Sequence, residues 1–512
     1  MSESMPPELW LEAFQYLPFW DLRCVAQTSR SFLSVARILL FSKIVLRPYA
    51  TPEPQKAQTT QAVPLSPDAA VAYSNKLGFL MSQPIAPLVQ RIVIRTAWAS
   101  AALTTEGESN ENTEPSRPLA LLRQLAIRMH RFPALTSLSF AQIRIPRSLL
   151  AHLATLPNLD EIDIYKSTLT KEAAVDGERT VPRPRKLSLS YARLAAWLPL
   201  FGLDRLVQLS LSGCTLSSAG DALPTLPLVS RLSIEFALAT IVGDISLLAK
   251  FPSVEFLEVK TSGTWPNLKP RPRLRRAPPL PRLKRLTASA QPSIIHLFLP
   301  AAPASALVIP WCNAGPAQVV KSLAVMKAQL TGITSLSVSS RGAVPMEDAI
   351  SLADLHKMLL FFPHLVEFAY TVDAPMYGDE CMDCHECHED VQSLGSFLFF
   401  DHLSRVTALP TTLSRLFVFH MSSDMEEFNF RPTPRGLTMT PLRNRLTAQC
   451  NTLSDVFLVG EDFKFRWRAG LGPSASRVEE EFAWTRADDE EEYIFDDMLE
   501  TFREAWADRT PL

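Results

Sequence analysis

Five soft ligand side chains fall within eight residues in the stretch Cys381-Met-Asp-Cys384-His385-Glu-Cys387-His388. Thiolates and imidazoles are natural zinc ligands, and Cys-x-x-Cys-His is also the attachment pattern of c-type haem. Structural zinc normally takes two ligand pairs separated by a longer loop, and no second pair follows here. Haem attachment needs machinery outside the cytosol. The opening MSESMPPELW has neither the basic stretch nor the apolar core of a secretory signal. Asp379, Glu380, Asp383, Glu386, Glu389 and Asp390 surround the cluster, so it reads as a solvated polar insertion with incidental metal affinity. Neither a metal nor a cofactor is expected. The other cysteines, at 24, 214, 312 and 450, are scattered and bring the total to an odd seven, which fits reduced thiols in the cytosol or nucleus.

Other reaction chemistry is equally hard to place. Glycine supplies only 17 of 512 residues, and neither G-x-G-x-x-G nor G-x-x-x-x-G-K-[ST] occurs, so no loop is built to cradle phosphates. H-E-x-x-H, G-x-S-x-G and the EF-hand loop are absent too, and the chain is not expected to be an enzyme. With 51 basic against 53 acidic residues the net charge is −2, so no global field draws it to nucleic acid or to a membrane surface. Charge is nevertheless segregated. Residues 269–285 (KPRPRLRRAPPLPRLKR) carry eight basic groups and no acidic one, which suits an extended basic loop, an import signal or an anion-binding patch. Residues 478–512 carry thirteen acidic groups and three arginines, with Phe482, Trp484, Tyr493, Phe495, Phe502 and Trp506 interspersed. That aromatic content suits a terminal segment folded over its neighbour better than a purely solvating tail. Leu286 to Val320 lacks Asp, Glu, Lys and Arg, but prolines at 292, 300, 303, 310 and 316 leave no piece long enough to span a bilayer as a helix.

Apolar residues make up 47% of the chain, enough for a large core, and their order is repetitive. Leu206-Val-Gln-Leu209-Ser-Leu211-Ser-Gly-Cys214-Thr-Leu216 fits L-x-x-L-x-L-x-x-N/C-x-L at every specified position. Looser copies begin at 135, 159, 184, 229, 254 and 283, with a spacing near 24, and others follow at 333, 365, 413 and 453. Leu307/Ile309 is a degenerate candidate between 283 and 333. Each x-L-x-L piece is a short strand with alternate side chains on one face, and stacked copies share a core that one copy cannot bury alone. Between strands lie helix-like stretches such as 119–130 and 147–154. Phe-Pro or Leu-Pro often precedes the strand, as at 132–133, 156–157, 251–252 and 362–363, where proline stops the helix and extends the chain. The fold class expected is α/β: a leucine-rich-repeat-like solenoid over 88–460 with degenerate later repeats. Residues 48–87 and 104–118, poor in core-forming groups, read as linker or loop, and 461–512 as an acidic aromatic C-terminal segment.

Residues 4–46 have a different pattern. Pro6 and Pro7 suit a helix entry with Glu8 in its first turn, Pro18 breaks that helix and starts another, and Ser29 or Ser31 can cap a third. Three short amphipathic helices in so few residues have little core, and apolar groups left exposed usually mean a partner. The order Pro6-Pro7-Glu8-Leu9, Phe14-x-Tyr16-Leu17-Pro18-x-x-Asp21-Leu22, Val25 and Ser29-Arg30-x-Phe32 resembles an F-box. Coupled to the repeats, the chain resembles the F-box/leucine-rich-repeat proteins, particularly the divergent fungal type. Met5, Ala13 and Phe32 depart from the Leu, Ile and Trp that the family usually places there.

The resemblance implies a three-helix F-box at the N-terminus, in a substrate receptor of a Skp–cullin–F-box ubiquitin ligase. The F-box would bind a Skp-type adaptor and through it a cullin scaffold, while the repeats select a protein target. By position, the adaptor-facing residues would be Met5, Pro6, Leu9, Phe14, Leu17 and Leu22. It also implies no covalent chemistry by the chain itself, and a cytoplasmic or nuclear setting. A repeat scaffold with no ligase role is the alternative; residues 4–46 would then only cap the end of the solenoid.

Overall fold

A computed structural model describes residues 6–50, 63–96, 117–170, 181–214, 216, 223–237, 244–262, 278–288, 295, 297–299, 303–309, 320–321, 323–341, 352–373, 400, 403–405, 409–421, 440–460, 463–468 and 479–484. The chain divides into two compact units, Met1–Phe251 and Pro252–Leu512.

The first unit begins with three helices, α1 (Pro7–Phe14), α2 (Phe19–Thr28) and α3 (Arg30–Ser42). Proline fixes the entry of α1 and a second proline, Pro18, precedes α2, because its ring presets the helical φ where an N–H would have no partner. Ser29, not Ser31, caps α3: its hydroxyl accepts from the Phe32 N–H at 3.1 Å. Such a cap is worth about 1 kcal/mol.

The chain passes from α3 directly into a parallel sheet. Its strands are β1 (Lys43–Leu46), β2 (Arg91–Arg95), β3 (Ser137–Ala141), β4 (Glu161–Tyr165), β5 (Lys186–Ser190), β6 (Gln208–Ser212) and β7 (Arg231–Ala237), hydrogen-bonded in sequence order. Register follows the leucine slots: Leu138, Ile162, Leu187, Leu209 and Leu232 align as one buried row, and Phe140, Ile164, Leu189, Leu211 and Ile234 as the next. The expected helices form as Arg117–Arg128 and Arg147–Leu153, and Phe132, Leu156 and Phe251 before the prolines are buried. Later connections use short helical turns, such as Leu194–Trp197 running into the 3₁₀ turn Leu198–Leu200, and the 3₁₀ turn Ile245–Lys250.

Two backbone devices recur from repeat to repeat. At the entries of β3 to β7 one carbonyl accepts two successive N–H groups from the next repeat, as when Gln90 O takes Thr136 N at 2.8 Å and Ser137 N at 3.1 Å. At the strand exits, Gln142, Lys166, Tyr191 and Gly213 all hold positive φ, between 45° and 58°. The left-handed conformation costs a side-chain-bearing residue about 1–2 kcal/mol. It persists because it aims each of the first three N–H groups at the next repeat: Gln142 N to Tyr165 O, Lys166 N to Ser190 O and Tyr191 N to Ser212 O, all at 2.7–2.8 Å.

Residues 48–87 require a correction. Within them Pro67–Leu80 forms a helix capped by Ser66, and Tyr49–Ala50 pairs antiparallel with Val63–Pro64. Leu77, Leu80, Met81 and Ile85 are buried. Asp68, Asn75 and Lys76 face outward, while Tyr73 is half-buried, Ser74 is hydrogen-bonded to Gln124, and scattered apolar positions supply the rest of the packing. Most of 104–118 lies outside the described residues.

The second unit holds seven parallel strands, β8 (Phe256–Ser262), β9 (Arg285–Ala288), β10 (Ala306–Ile309), β11 (Ser335–Arg341), β12 (Glu367–Asp373), β13 (Arg415–Met421) and β14 (Asp455–Val459). The degenerate Leu307/Ile309 copy is therefore a full member of the sheet. The double-acceptor entry continues through insertions of unequal length: Glu255 O takes Lys284 and Arg285, and Ser414 O takes Ser454 and Asp455. Two further strands, β15 (Phe463–Arg468) and β16 (Glu479–Trp484), add antiparallel to β14. Thus the start of the acidic segment is a strand, with Glu479 and Glu481 opposite Arg468 and Arg466 in register. The remainder, from 485, lies outside the described residues.

Candidate protein-docking site

The three N-terminal helices pack around Phe14, Leu22, Val35 and Ala36, with Trp10, Leu11, Leu17, Val25, Phe32 and Leu39 half-buried against them. Trp10, Phe14 and Phe32 form a ring cluster with centroids 4.8–5.6 Å apart, so a phenylalanine at 32 still fills the space between α1 and α3. The placement corrects two of the expected contact residues. Phe14 and Leu22 are each only 5% exposed and build the core instead of presenting a face. Each lies on the inward stripe of its helix, where helical spacing turns it away from solvent. Of the others, Pro6 is exposed, Leu9 is 49% exposed and Leu17 is half-buried, while Met5 lies outside the described residues.

The turn between α1 and α2 displays aromatic groups that the sequence reading passed over. Tyr16 is 78% exposed, Phe19 58% and Trp20 70%. The Phe19 and Trp20 rings lie 6.3 Å apart, and the Arg23 guanidinium sits 5.0 Å from the centre of the Trp20 ring. Three large aromatic side chains left open within five residues make an apolar patch with a cation at its edge, the composition of a protein-binding hot spot. The available signal was Pro18, which forces the chain to turn exactly where these side chains cluster.

The helices that carry this patch are held through α3 to the entry of β2 and to the segment around the Pro67–Leu80 helix. Ser42 O, at the end of α3, accepts Gln90 N at 2.9 Å, Arg37 Nη2 donates to Pro84 O at 3.3 Å, and the Phe41 and Phe79 rings are 6.0 Å apart.

A second surface is the outward face of β1–β7. Between the leucine slots it presents Ser139, Ser188, Ser210 and Ser233 in one register row. At the strand exits Tyr165 and Tyr191 meet edge to face at 5.8 Å, with Lys166 Nζ 5.3 Å and 4.8 Å from the two ring centres. Gly213 is required next to them: a Cβ there would lie 2.5 Å from the Tyr191 ring. Its N–H and the Ser212 hydroxyl both donate to Glu235 Oε2. Cys214, in the Asn/Cys slot of its repeat, points to the Leu189 and Ser212 carbonyls at 3.3 Å, and burial pushes its thiol above the ordinary thiol range. Ser167 fills the equivalent slot two repeats earlier, donating to Phe140 O and Tyr165 O.

Among the described residues no group of three or more His, Cys, Asp or Glu is placed to hold a metal ion, and no helix is long and apolar enough to cross a membrane. The cluster at 381–388 and residues 269–277 of the basic stretch lie outside the described residues.

Comparison with known proteins bears on the first of these surfaces. Residues 2–47 match the F-box-like family. No curated protein matches the chain. Among solved structures, an internalin from Listeria monocytogenes aligns over 73% of this chain and 94% of its own at 12% identity, with a TM-score of 0.26. A likeness that faint adds nothing to the strand register described above.

Proposed function

We propose that this chain, an F-box-like segment fused to leucine-rich-repeat-like α/β units, is the substrate-recognition subunit of a Skp–cullin–F-box ubiquitin ligase. The observation that carries the reading is the open aromatic turn at Tyr16, Phe19 and Trp20 on a segment of F-box-like sequence. A Skp-type adaptor covers that patch together with Leu9, and the adaptor joins the chain to a cullin scaffold. The repeats hold a protein target. The chain contributes proximity and not acid–base chemistry: it raises the effective concentration of the target near a ubiquitin-charged conjugating enzyme. Such a role places the protein in the cytoplasm or nucleus.

The test is co-purification of the full chain with a Skp-type adaptor, native against Leu9→Asp combined with Trp20→Asp. Both side chains are largely exposed, so the double change leaves the helical core in place. Stable capture by the native chain and loss in the variant support the reading. A folded native chain that captures no adaptor overturns it and leaves a repeat scaffold.

A further inference from the structure

The outward face of β1–β7 carries more positive charge than its surroundings explain. Along the strand entries, register aligns Lys43, Arg91, Ser137, Glu161, Lys186, Gln208 and Arg231. Arg95 and Lys166 add cations at the exits. The carboxylates on this face are Glu161, Asp163 and Glu235, and each is engaged within it. Glu161 lies 3.5 Å from Arg91, Asp163 accepts from the Ser139 hydroxyl at 2.9 Å, and Glu235 accepts from Ser212 and Gly213. Lys43, Arg95 and Lys186 are exposed and, among the described residues, have no carboxylate within ion-pair distance. The whole chain is slightly negative, so this excess is local.

We propose that this face binds an extended acidic protein segment, whose Asp or Glu side chains meet the entry row while its backbone lies over the serine row. The proposal rests on the reading of the chain as a substrate receptor and names the chemistry of the target. Parallel strands about 4.8 Å apart make the seven-strand row roughly 29 Å long, the reach of about nine extended residues. The unpaired cations stand apart: Lys43 on β1, Arg95 on the adjacent β2 and Lys186 three strands beyond that. That spacing suits separate carboxylates, each meeting one cation. A phosphate would need several donors converging on one point. A nucleic acid strand fits less well, because Glu161 and Asp163 in mid-face would oppose its unbroken phosphates. A peptide can set uncharged residues there, and the hydroxyls of Ser188 and Ser210 then serve its amides.

The experiment is fluorescence anisotropy of the full chain with a labelled decapeptide of alternating Glu and Ser, at low and at physiological salt. Comparison probes are the Gln–Ser decapeptide, a phosphoserine decapeptide and a ten-nucleotide oligo-dT. The expected result is binding of the Glu–Ser probe that weakens with salt, falls roughly tenfold in Lys186→Glu and again in Lys43→Glu, and is unchanged in Lys76→Glu, which lies on the Pro67–Leu80 helix and not on a strand of this face. Lys186→Gln, with a smaller loss, separates charge from misfolding. The proposal is overturned by no binding to the native chain, by equal binding of Gln–Ser, by tighter binding of oligo-dT or the phosphopeptide, or by indifference to Lys186→Glu. Adaptor capture is measured on the same preparations. If capture is intact and the peptide result negative, only this surface is wrong. If capture fails while charge-dependent peptide binding holds, only the ligase reading is wrong.

Discussion

Trp20 and Phe14 separate contact from core, and their substitution by alanine makes the sharpest test of the docking patch. A tryptophan side chain offers up to about 250 Å² of surface. Trp20 is 70% exposed, so about 175 Å² remains for a partner to cover. At about 25 cal/mol per Å² that is a ceiling near 4 kcal/mol, and buried aromatic anchors in interfaces typically cost about 2–4 kcal/mol when truncated. Trp20→Ala should therefore weaken adaptor binding by roughly 30- to 800-fold. Its own fold loses less than Phe14→Ala removes: the remaining covered area and the Arg23 contact are worth at most about 3 kcal/mol. Phe14 is 5% exposed at the centre of the ring cluster, and Phe14→Ala should instead cost about 3–5 kcal/mol of stability. Titration calorimetry with a Skp-type adaptor, with circular dichroism on the same samples, reads both quantities. Trp20→Ala binding within about threefold of the native chain would refute the assignment of the patch.

Three further outcomes follow from the repeats. Gly213→Ala places a Cβ against the Tyr191 ring at positive φ, and should lower the urea midpoint by the equivalent of about 2 kcal/mol. Alanine at neighbouring Ser210, which has neither constraint, should stay within about 0.5 kcal/mol. Glu367, buried beneath Arg415 on β12, holds that guanidinium, and Glu367→Ala should cost about 3 kcal/mol by leaving a largely covered cation unpaired. A thermal scan of the variant is the check. Burial raises the Cys214 thiol pKa, so the folded state holds the proton more tightly than the unfolded state does. The resulting stability is complete below the unfolded-thiol pKa and fades as pH rises through the folded one. Cys214→Ser should flatten the alkaline limb of the stability profile, and iodoacetamide should label exposed Cys24 well before Cys214.

What the sequence revealed and what it hid have distinct physical causes. Leucine slots were legible because burial at a fixed register permits few residue types, so Leu209 and Leu211 align with Leu187 and Leu189 as their spacing requires. Strand β10 was only half legible: Pro310 and its neighbours obscure the period, yet the double-acceptor entry at Lys284 O keeps the strand in line. Residues 67–80 were misread because Asp68, Ser74, Asn75 and Lys76 interrupt the apolar order of a helix whose burial rests on Leu77 and Leu80. At the docking patch, helical spacing put Phe14 and Leu22 each on the apolar stripe of its own helix, but a stripe does not say whether chain or partner covers it. Tyr16, Phe19 and Trp20 owe their exposure to the turn at Pro18, a tertiary fact that amphipathic periodicity does not encode.

The junction at Ser42 and Lys43 decides whether the N-terminal helices are a module or an extension of the repeats. Their private core has only four buried side chains, Phe14, Leu22, Val35 and Ala36, too few to hold about forty residues alone. The deficit is met by α3, which runs without a linker into β1 and is held by the Ser42–Gln90 hydrogen bond, by Arg37 on Pro84 and by Phe41 against Phe79. Inserting six Gly/Ser residues after Ser42 gives the helices a free reach of roughly 13 Å and removes that support. Hydrogen exchange of the α1–α3 amides should then speed by at least about tenfold, an opening cost reduced by some 1.4 kcal/mol. Adding a Skp-type adaptor should slow it again, because covering Trp20 and Phe19 supplies from outside the burial that the repeats no longer provide. Exchange unchanged by the insertion would mean that four core residues suffice, and that the repeats only follow the helices instead of supporting them.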